Sequence, residues 1–233
     1  MDISVVVPCF NEGESIPILY KRLKSAMDRL SQEYEILFVD DGSRDETLSA
    51  MKEAKGQADH IKILILDKHY GKDAALAAGF KSAEGQIIVT LDSDLQNYPE
   101  DIPLLLDKLK LCDGVIGWRK ERKDNFLKKI SSRTANAFRN SLLSEDLHDA
   151  GCGLRAFRKE CLKKLGSFQL FDLFLMSMFK IKGFKVTEVI VRHAPREWGH
   201  SKFNIRNRLF RNGAALMEVW WLKRHGGGDV PTL

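Results

Sequence analysis

The run Gln86–Leu91 (Gln-Ile-Ile-Val-Thr-Leu) is apolar and β-branched, and it leads directly into Asp92-Ser93-Asp94. Such a run reads as a buried strand. Two carboxylates one residue apart at the end of a buried strand repel one another, and each resists losing water. A divalent cation relieves both costs, and oxygen ligands suit Mg²⁺ or Mn²⁺ better than Zn²⁺. In an open α/β sheet, ligands gather at the carboxyl ends of the strands, where this pair would sit. Taken alone, Asp-x-Asp is equally a surface turn with a helix cap. The rest of the chain decides between the two.

The residues before it alternate between strand and helix. Ile3–Pro8, Tyr34–Val39, His60–Leu66 and Gln86–Leu91 are apolar runs, and each ends in polar or turn residues. Between them, Ser15–Leu30 carries Ile16, Leu19, Leu23, Met27 and Leu30 at helical spacing, and Glu46–Lys55 and Lys72–Ala83 are further helices. Ser43 or Asp45 supplies a cap for the second helix, because a side-chain oxygen there satisfies free backbone N–H groups. The βαβαβαβ series predicts an α/β fold with a mostly parallel, Rossmann-like sheet flanked by helices. Asp40-Asp41 closes the second strand as Asp92 and Asp94 close the fourth. A carboxylate there accepts hydrogen bonds from a base or a ribose, or else serves an Asp-Gly turn. There is no Gly-x-Gly-x-x-Gly after the first strand and no Gly-x-x-x-x-Gly-Lys-Ser/Thr, so dinucleotide and P-loop readings lose their main support.

Composition sets wider bounds. At 233 residues, 44% hydrophobic and 30% charged, the chain suits one globular domain. The net charge of +5 is concentrated in Arg119–Lys129 and Arg206–Arg211. No basic stripe with interleaved aromatics matches a nucleic-acid-binding motif, so nucleic acid is not an expected partner. Four cysteines without Cys-x-x-Cys spacing fit reduced thiols in a cytoplasmic compartment. Met1-Asp2 passes straight into a strand, which predicts no signal peptide, and no run has the ~18 apolar residues of a spanning helix.

Six ordered motifs resemble the family 2 glycosyltransferases, in the branch of the dolichyl-phosphate mannosyltransferases and bacterial polyprenyl-phosphate transferases. They are Val5-Val-Val-Pro-Cys-Phe-Asn-Glu12, Val39-Asp-Asp-Gly-Ser-Arg-Asp-Glu-Thr47, Tyr70-Gly-Lys-Asp-Ala-Ala-Leu76, Asp92-Ser-Asp-Leu-Gln96, Gly117-Trp-Arg119 and Arg196-Glu-Trp-Gly-His-Ser-Lys202. The resemblance implies a GT-A fold over residues 1–203, with a nucleotide-sugar half (1–118) and an acceptor half (119–203). It places Pro8, Phe10, Glu12, Val39 and Asp41 around the nucleotide, with Asp92, Ser93 and Asp94 at the diphosphate. It makes Asp94 and Gln96, with Asp92, the metal ligands, and Mg²⁺ or Mn²⁺ the cofactor. Arg119 and Lys202 would contact phosphates, and Asp92, Asp94 and Arg119 would carry catalysis. A metal and cations stabilise the charge that develops on a departing nucleoside diphosphate. Ser132-Arg133-Thr134-Ala135-Asn136 resembles the segment that, with Arg119, meets the acceptor phosphate, and Asp149–Arg155 resembles the strand closing that side. His148 reads as a solvated loop residue. A phosphate acceptor is already anionic and needs no strong base. The family's usual acid in the following helix has one counterpart here, Asp172, whose alignment is unresolved.

The carboxyl-terminal stretch 204–224 has Ile205, Leu209, Gly213, Leu216 and Trp220 at helical spacing, and ends in Val219-Trp-Trp-Leu222 before Lys223-Arg224. It predicts an amphipathic helix, too short to span a bilayer, that lies in the membrane interface or docks on its own core; residues 225–233 form a tail. The expectation is therefore a metal-dependent, inverting transferase on the cytosolic face of a membrane. It would move a mannose- or glucose-type hexose from a GDP- or UDP-sugar to a dolichyl or undecaprenyl phosphate. The alternative is a family 2 enzyme acting on a glycan or soluble acceptor in cell-surface polysaccharide synthesis. A non-catalytic sugar-nucleotide binder fits the intact acidic pair poorly. Oligomeric state is left open.

Overall fold

The structure, a computed structural model, describes residues 1–120, 139–165, 172–195 and 205–224, the side chains of 205–212 excepted. The first half follows the alternation expected of it: β1 (Ile3–Cys9), α1 (Ser15–Met27), β2 (Tyr34–Asp40), α2 (Thr47–Lys55), β3 (Ile61–Ile65), α3 (Lys72–Ser82) and β4 (Ile87–Thr90). A short 3₁₀ turn (Pro99–Asp101) leads into α4 (Ile102–Leu109) and β5 (Gly114–Trp118). After residue 138 come β6 (Arg155–Arg158), α5 (Glu160–Lys163), a 3₁₀ turn (Asp172–Phe174), α6 (Leu175–Ile181), β7 (Val186–Ile190) and α7 (Ile205–Arg224).

The seven strands lie in one mixed sheet in the order β3-β2-β1-β4-β6-β5-β7. β1 pairs in parallel with β2 and with β4, and β3 with β2, so the strand order reverses beside β1. Right-handed crossovers then place α1 and α2 on one face and α3 on the other. A crevice opens between the carboxyl ends of β1 and β4, the position at which ligands bind in such sheets. The residues of β1 and β2 are almost all buried, because a strand covered on both faces is apolar throughout.

β6 alone runs against its neighbours, antiparallel to β4 and β5. Its first residue, Arg155, pairs with Thr90 at the end of β4 and with Ile116 of β5. The direction matters. A strand entering the sheet from the opposite end brings the loop before it, residues 149–154, to the same edge as Asp92. Among the bonds that hold that loop, Thr90 Oγ1 donates to the Gly153 carbonyl (2.8 Å) and Gly117 N–H to that of Leu154 (2.9 Å).

The carboxyl-terminal helix α7 buries Ala215, Leu216, Val219 and Leu222 and packs against α6 and the 172–174 turn. Lys223 Nζ donates to the Leu143 carbonyl. Met217, by contrast, is exposed, and Arg224 lies over the Trp220 ring at 4.3 Å. Of the expected apolar stripe, Leu216 is buried, Trp220 half-buried and Gly213 exposed; the true inner face is rotated toward 215, 219 and 222. Among the described residues, no helix is long and apolar enough to cross a membrane.

Candidate active site

The first two strand ends are tied into one platform. Asn11 N–H donates to Ser43 Oγ (2.9 Å), Arg44 N–H to Asn11 Oδ1 (2.8 Å), and Gly13 N–H to Asp45 Oδ2 (3.1 Å). Thr47 Oγ1 accepts the Glu12 N–H (2.7 Å), and Asp45 Oδ1 accepts the Thr47 N–H (3.1 Å), so Asp45 is the residue that satisfies the start of α2. Asn11 sits at φ +51°, a conformation its short amide side chain tolerates. Glu12 and Val39 are buried beneath this platform, and the Pro8 carbonyl accepts a bond from Ser93 Oγ (3.0 Å). Thus Pro8, Phe10, Glu12, Val39, Asp41 and Ser93 are all gathered around one crevice.

Asp41 is only 2% exposed, and its carboxylate is engaged. Tyr70 N–H donates to Oδ1 and Gly71 N–H to Oδ2, each at 2.8 Å, and His69 Nδ1 lies 2.8 Å from Oδ2. The carboxylate therefore anchors the start of α3. Gly42 makes this approach feasible: it adopts φ +68°, and a Cβ there would stand 2.5 Å from the Lys68 carbonyl carbon. The His69 ring stacks on Phe10, with centroids 3.8 Å apart and 18° between planes.

Asp92 and Asp94 are both half-buried at the crevice. Lys72 Nζ, in the first turn of α3, lies 2.6 Å from Asp92 Oδ1 and 2.9 Å from Asp172 Oδ2. The other oxygen of Asp172 is bonded by Arg155, whose side chain is fully buried. Burial pushes the Asp172 carboxyl up, but Arg155 and Lys72 outweigh it and hold the group well below the usual carboxylate range. Burial likewise opposes the Lys72 charge, and Asp172 and Asp92 reverse this and raise its pKa. Asp92 fits only because residue 153 is glycine: a Cβ there would be 2.1 Å from Asp92 Oδ2. Asp94 Oδ1 accepts the Gln96 N–H (3.2 Å), and Gln96 in turn is tied to Ala194, whose N–H donates to its carbonyl (2.9 Å).

Arg119 is buried and held by Asp149, which accepts from Nε at 2.7 Å and from Nη2 at 2.9 Å. Burial disfavours its charge, and the bonds to Asp149 restore it and raise its pKa above the ordinary arginine value. His148 stacks on Trp118 (4.2 Å) and bonds Glu188 through Nδ1 (2.7 Å); its side chain is 58% exposed, a loop position rather than a buried base. All four cysteines are buried and free, and burial pushes the Cys152 thiol up to about 11, so none is poised as a thiolate. Ser132, Arg133 and Lys202 lie outside the described residues. His69 lies outside every motif read from the sequence, Lys72, Asp149 and Gly153 lie in motifs that gave them no individual role, and Asp172, left unassigned, joins the site through Lys72.

The set suits a divalent cation of the kind that keeps most of its shell for phosphate and water. Among the described residues no group of three acidic, histidine or cysteine side chains converges. Mg²⁺ or Mn²⁺ on a diphosphate needs only one or two carboxylates from the protein. Two carboxylates of this crevice, Asp92 and Asp94, are of the kind and number that such a cation takes from a protein.

Residues 4–166 match the family described as "Glycosyl transferase family 2", and the chain belongs to that family. Over 204 residues it is 37% identical to the undecaprenyl-phosphate 4-deoxy-4-formamido-L-arabinose transferase of Photorhabdus laumondii, covering 87% of this chain and 63% of the relative. The same enzyme of an Enterobacter species is 39% identical over 87% of this chain and 62% of the relative. The chain thus spans less than two thirds of these relatives. Two solved structures share its fold, which is GT-A. A glucosyl-3-phosphoglycerate synthase from Mycobacterium tuberculosis, in complex with Mn²⁺, UDP and phosphoglyceric acid, superposes with TM-score 0.69 at 20% identity (99% of this chain, 80% of that one). A mannosyltransferase from Pyrobaculum calidifontis, in complex with GDP-mannose and Mn²⁺, gives 0.67 at 19% (98% and 65%).

Proposed function

We propose that this chain transfers a sugar from a nucleotide-sugar to a polyprenyl phosphate at a membrane surface, on the cytosolic face, with inversion at the anomeric carbon. The observation that carries the reading is the convergence at one crevice of Phe10 and Asp41 with Asp92 and Asp94, in a chain 37–39% identical to undecaprenyl-phosphate transferases. Phe10 and Asp41 receive the base, and Asp92 and Asp94, with Gln96, would hold a divalent cation whose charge would offset that of the departing diphosphate. Arg119, fixed on one side of its fork by Asp149, turns its remaining N–H groups to phosphate. Lys202, Ser132 and Arg133 complete the phosphate contacts. The acceptor phosphate is its own nucleophile. Asp172, held ionised between Arg155 and Lys72, is too weak a base to assist and instead sets Lys72 against Asp92.

The test is a donor and acceptor screen with Mg²⁺ or Mn²⁺. GDP- and UDP-hexoses are offered beside UDP-linked 4-formamido-arabinose, since the relatives' names specify that pentose and the family resemblance a hexose. Undecaprenyl phosphate is compared with soluble acceptors. Product on undecaprenyl phosphate that disappears with EDTA supports the reading. Transfer to a soluble acceptor alone, or full turnover in EDTA, overturns the lipid or the metal assignment respectively. Arg133→Ala should raise the KM for the lipid phosphate and leave nucleotide affinity nearly intact.

A further inference from the structure

We infer that His69 stands in for the donor's base, filling its place until a nucleotide enters and displaces it. The inference rests on the reading of Phe10 and Asp41 as the groups that receive that base. Both are engaged here by a single side chain. The imidazole lies parallel to Phe10 at 3.8 Å, one aromatic thickness, so no second ring fits between them. Its Nδ1 is 2.8 Å from Asp41 Oδ2, the carboxylate to which a base would present an N–H. A planar nitrogen heterocycle, stacked on Phe10 and donating to Asp41, reproduces both contacts.

Among the described groups on Asp41, His69 alone is exchangeable. The N–H groups of Tyr70 and Gly71 belong to the backbone at the start of α3, where their loss would strand a buried carboxylate. The His69 side chain is 52% exposed, against 3% for Asp41, and it swings into solvent without disturbing the core. Donor affinity is then the intrinsic affinity reduced by the fraction of molecules in which His69 has left. Ligands without a base escape that penalty.

Calorimetric titration with UDP, GDP and inorganic diphosphate, each with Mn²⁺, tests this on the full chain. His69→Ala should tighten UDP and GDP by roughly three- to tenfold and leave inorganic diphosphate unchanged. His69→Gln, which keeps a polar group but no ring to stack, should fall between. Phe10→Ala should weaken UDP and GDP. If His69→Ala weakens nucleotide binding, His69 is itself a base contact and the inference is wrong. No change in His69→Ala while Phe10→Ala weakens binding also overturns it, and leaves the donor reading standing. If Phe10→Ala has no effect either, the placement of the base at Phe10 fails and takes the inference with it.

Discussion

Two strand ends in this molecule carry adjacent or near-adjacent acids, and they use them in opposite ways. After β2, Asp41 is buried and spends its carboxylate on the backbone of the loop that starts α3. After β4, Asp92 and Asp94 stay half-buried, and the charge that Asp92 faces is a side chain, Lys72. Backbone N–H groups cannot leave without unfolding a turn, whereas an ammonium on a flexible stem can. The first carboxylate therefore builds the wall of the site while its side-chain partner, His69, faces outward, and Asp92 meets a charge that can move away. A motif of acids at strand ends says where the edge is, but not which acid is structural.

The largest effect should come from the pair after β4. Asp94→Asn should lower transferase turnover by at least ~10²-fold, the scale of losing one strong charge stabiliser, with little change in thermal unfolding. A variant that keeps near-normal turnover would erase the contrast drawn above. Asp41→Ala should cost stability as well as nucleotide affinity. It removes the acceptor of the part-buried Tyr70 and Gly71 N–H groups, at roughly 1 kcal/mol each, so Tm should fall by about 4–8 °C. Nucleotide binding lost without any loss of Tm would make Asp41 a ligand contact alone.

The next effect sits on Lys72, which joins Asp92 to Asp172. The Asp172 carboxyl is held below its unfolded value, near pH 4, by Arg155 and Lys72. Such a group contributes stability that is present above the unfolded pKa and lost as pH falls through the folded one. Lys72→Met removes part of that depression. The variant should be less stable than the parent by roughly 2 kcal/mol at pH 7. The gap should then narrow as pH falls through the variant's own folded pKa, which Arg155 alone leaves higher than the parent's, because the parent goes on losing stability after the variant has stopped. Urea midpoints between pH 2.5 and 7 measure this. A gap that stays constant with pH would show that Lys72 acts through packing rather than charge.

Much of the donor side is legible in the sequence because its signals are local. The runs that become β1, β2, β3 and β4 and the helices between them each lie within one periodic segment, and the predicted ends fall within a residue or three of those observed. Each strand's acids follow it directly, so Asp41, Asp92 and Asp94 could be placed at one edge. What escaped depends on contacts between distant residues. Lys72 and Asp172 meet across a hundred positions, and no period links them. The reversed direction of β6, which carries Gly153 to Asp92, has no signature in a four-residue strand. Arg119 showed its charge in the sequence, but not that Asp149 holds half of its fork. His69 carried a weak clue, lying two residues before Gly71 at the turn that opens α3.

The smallest effect concerns α7, where the two sides of one helix repeat the contrast between committed and available groups. Ala215, Leu216, Val219 and Leu222 are buried against the protein, so the apolar stripe that suggested a membrane surface is largely used internally. Met217 points outward at 55% exposure, with Trp220 partly covered and the exposed Arg224 over its ring. That leaves a narrow outer strip to meet lipid, aided by cations that favour anionic headgroups. Met217→Ser should weaken co-sedimentation with anionic liposomes by a few-fold, roughly the value of a partly buried side chain, and leave Tm within about 1–2 °C. Val219→Ser should do the opposite, lowering Tm by several degrees through loss of a buried apolar contact. High salt should reduce liposome binding of the parent and of Met217→Ser alike, because screening acts on the cations that both retain. If Met217→Ser binds liposomes as the parent does, the outer strip has no part in membrane contact, and α7 serves only to close the core.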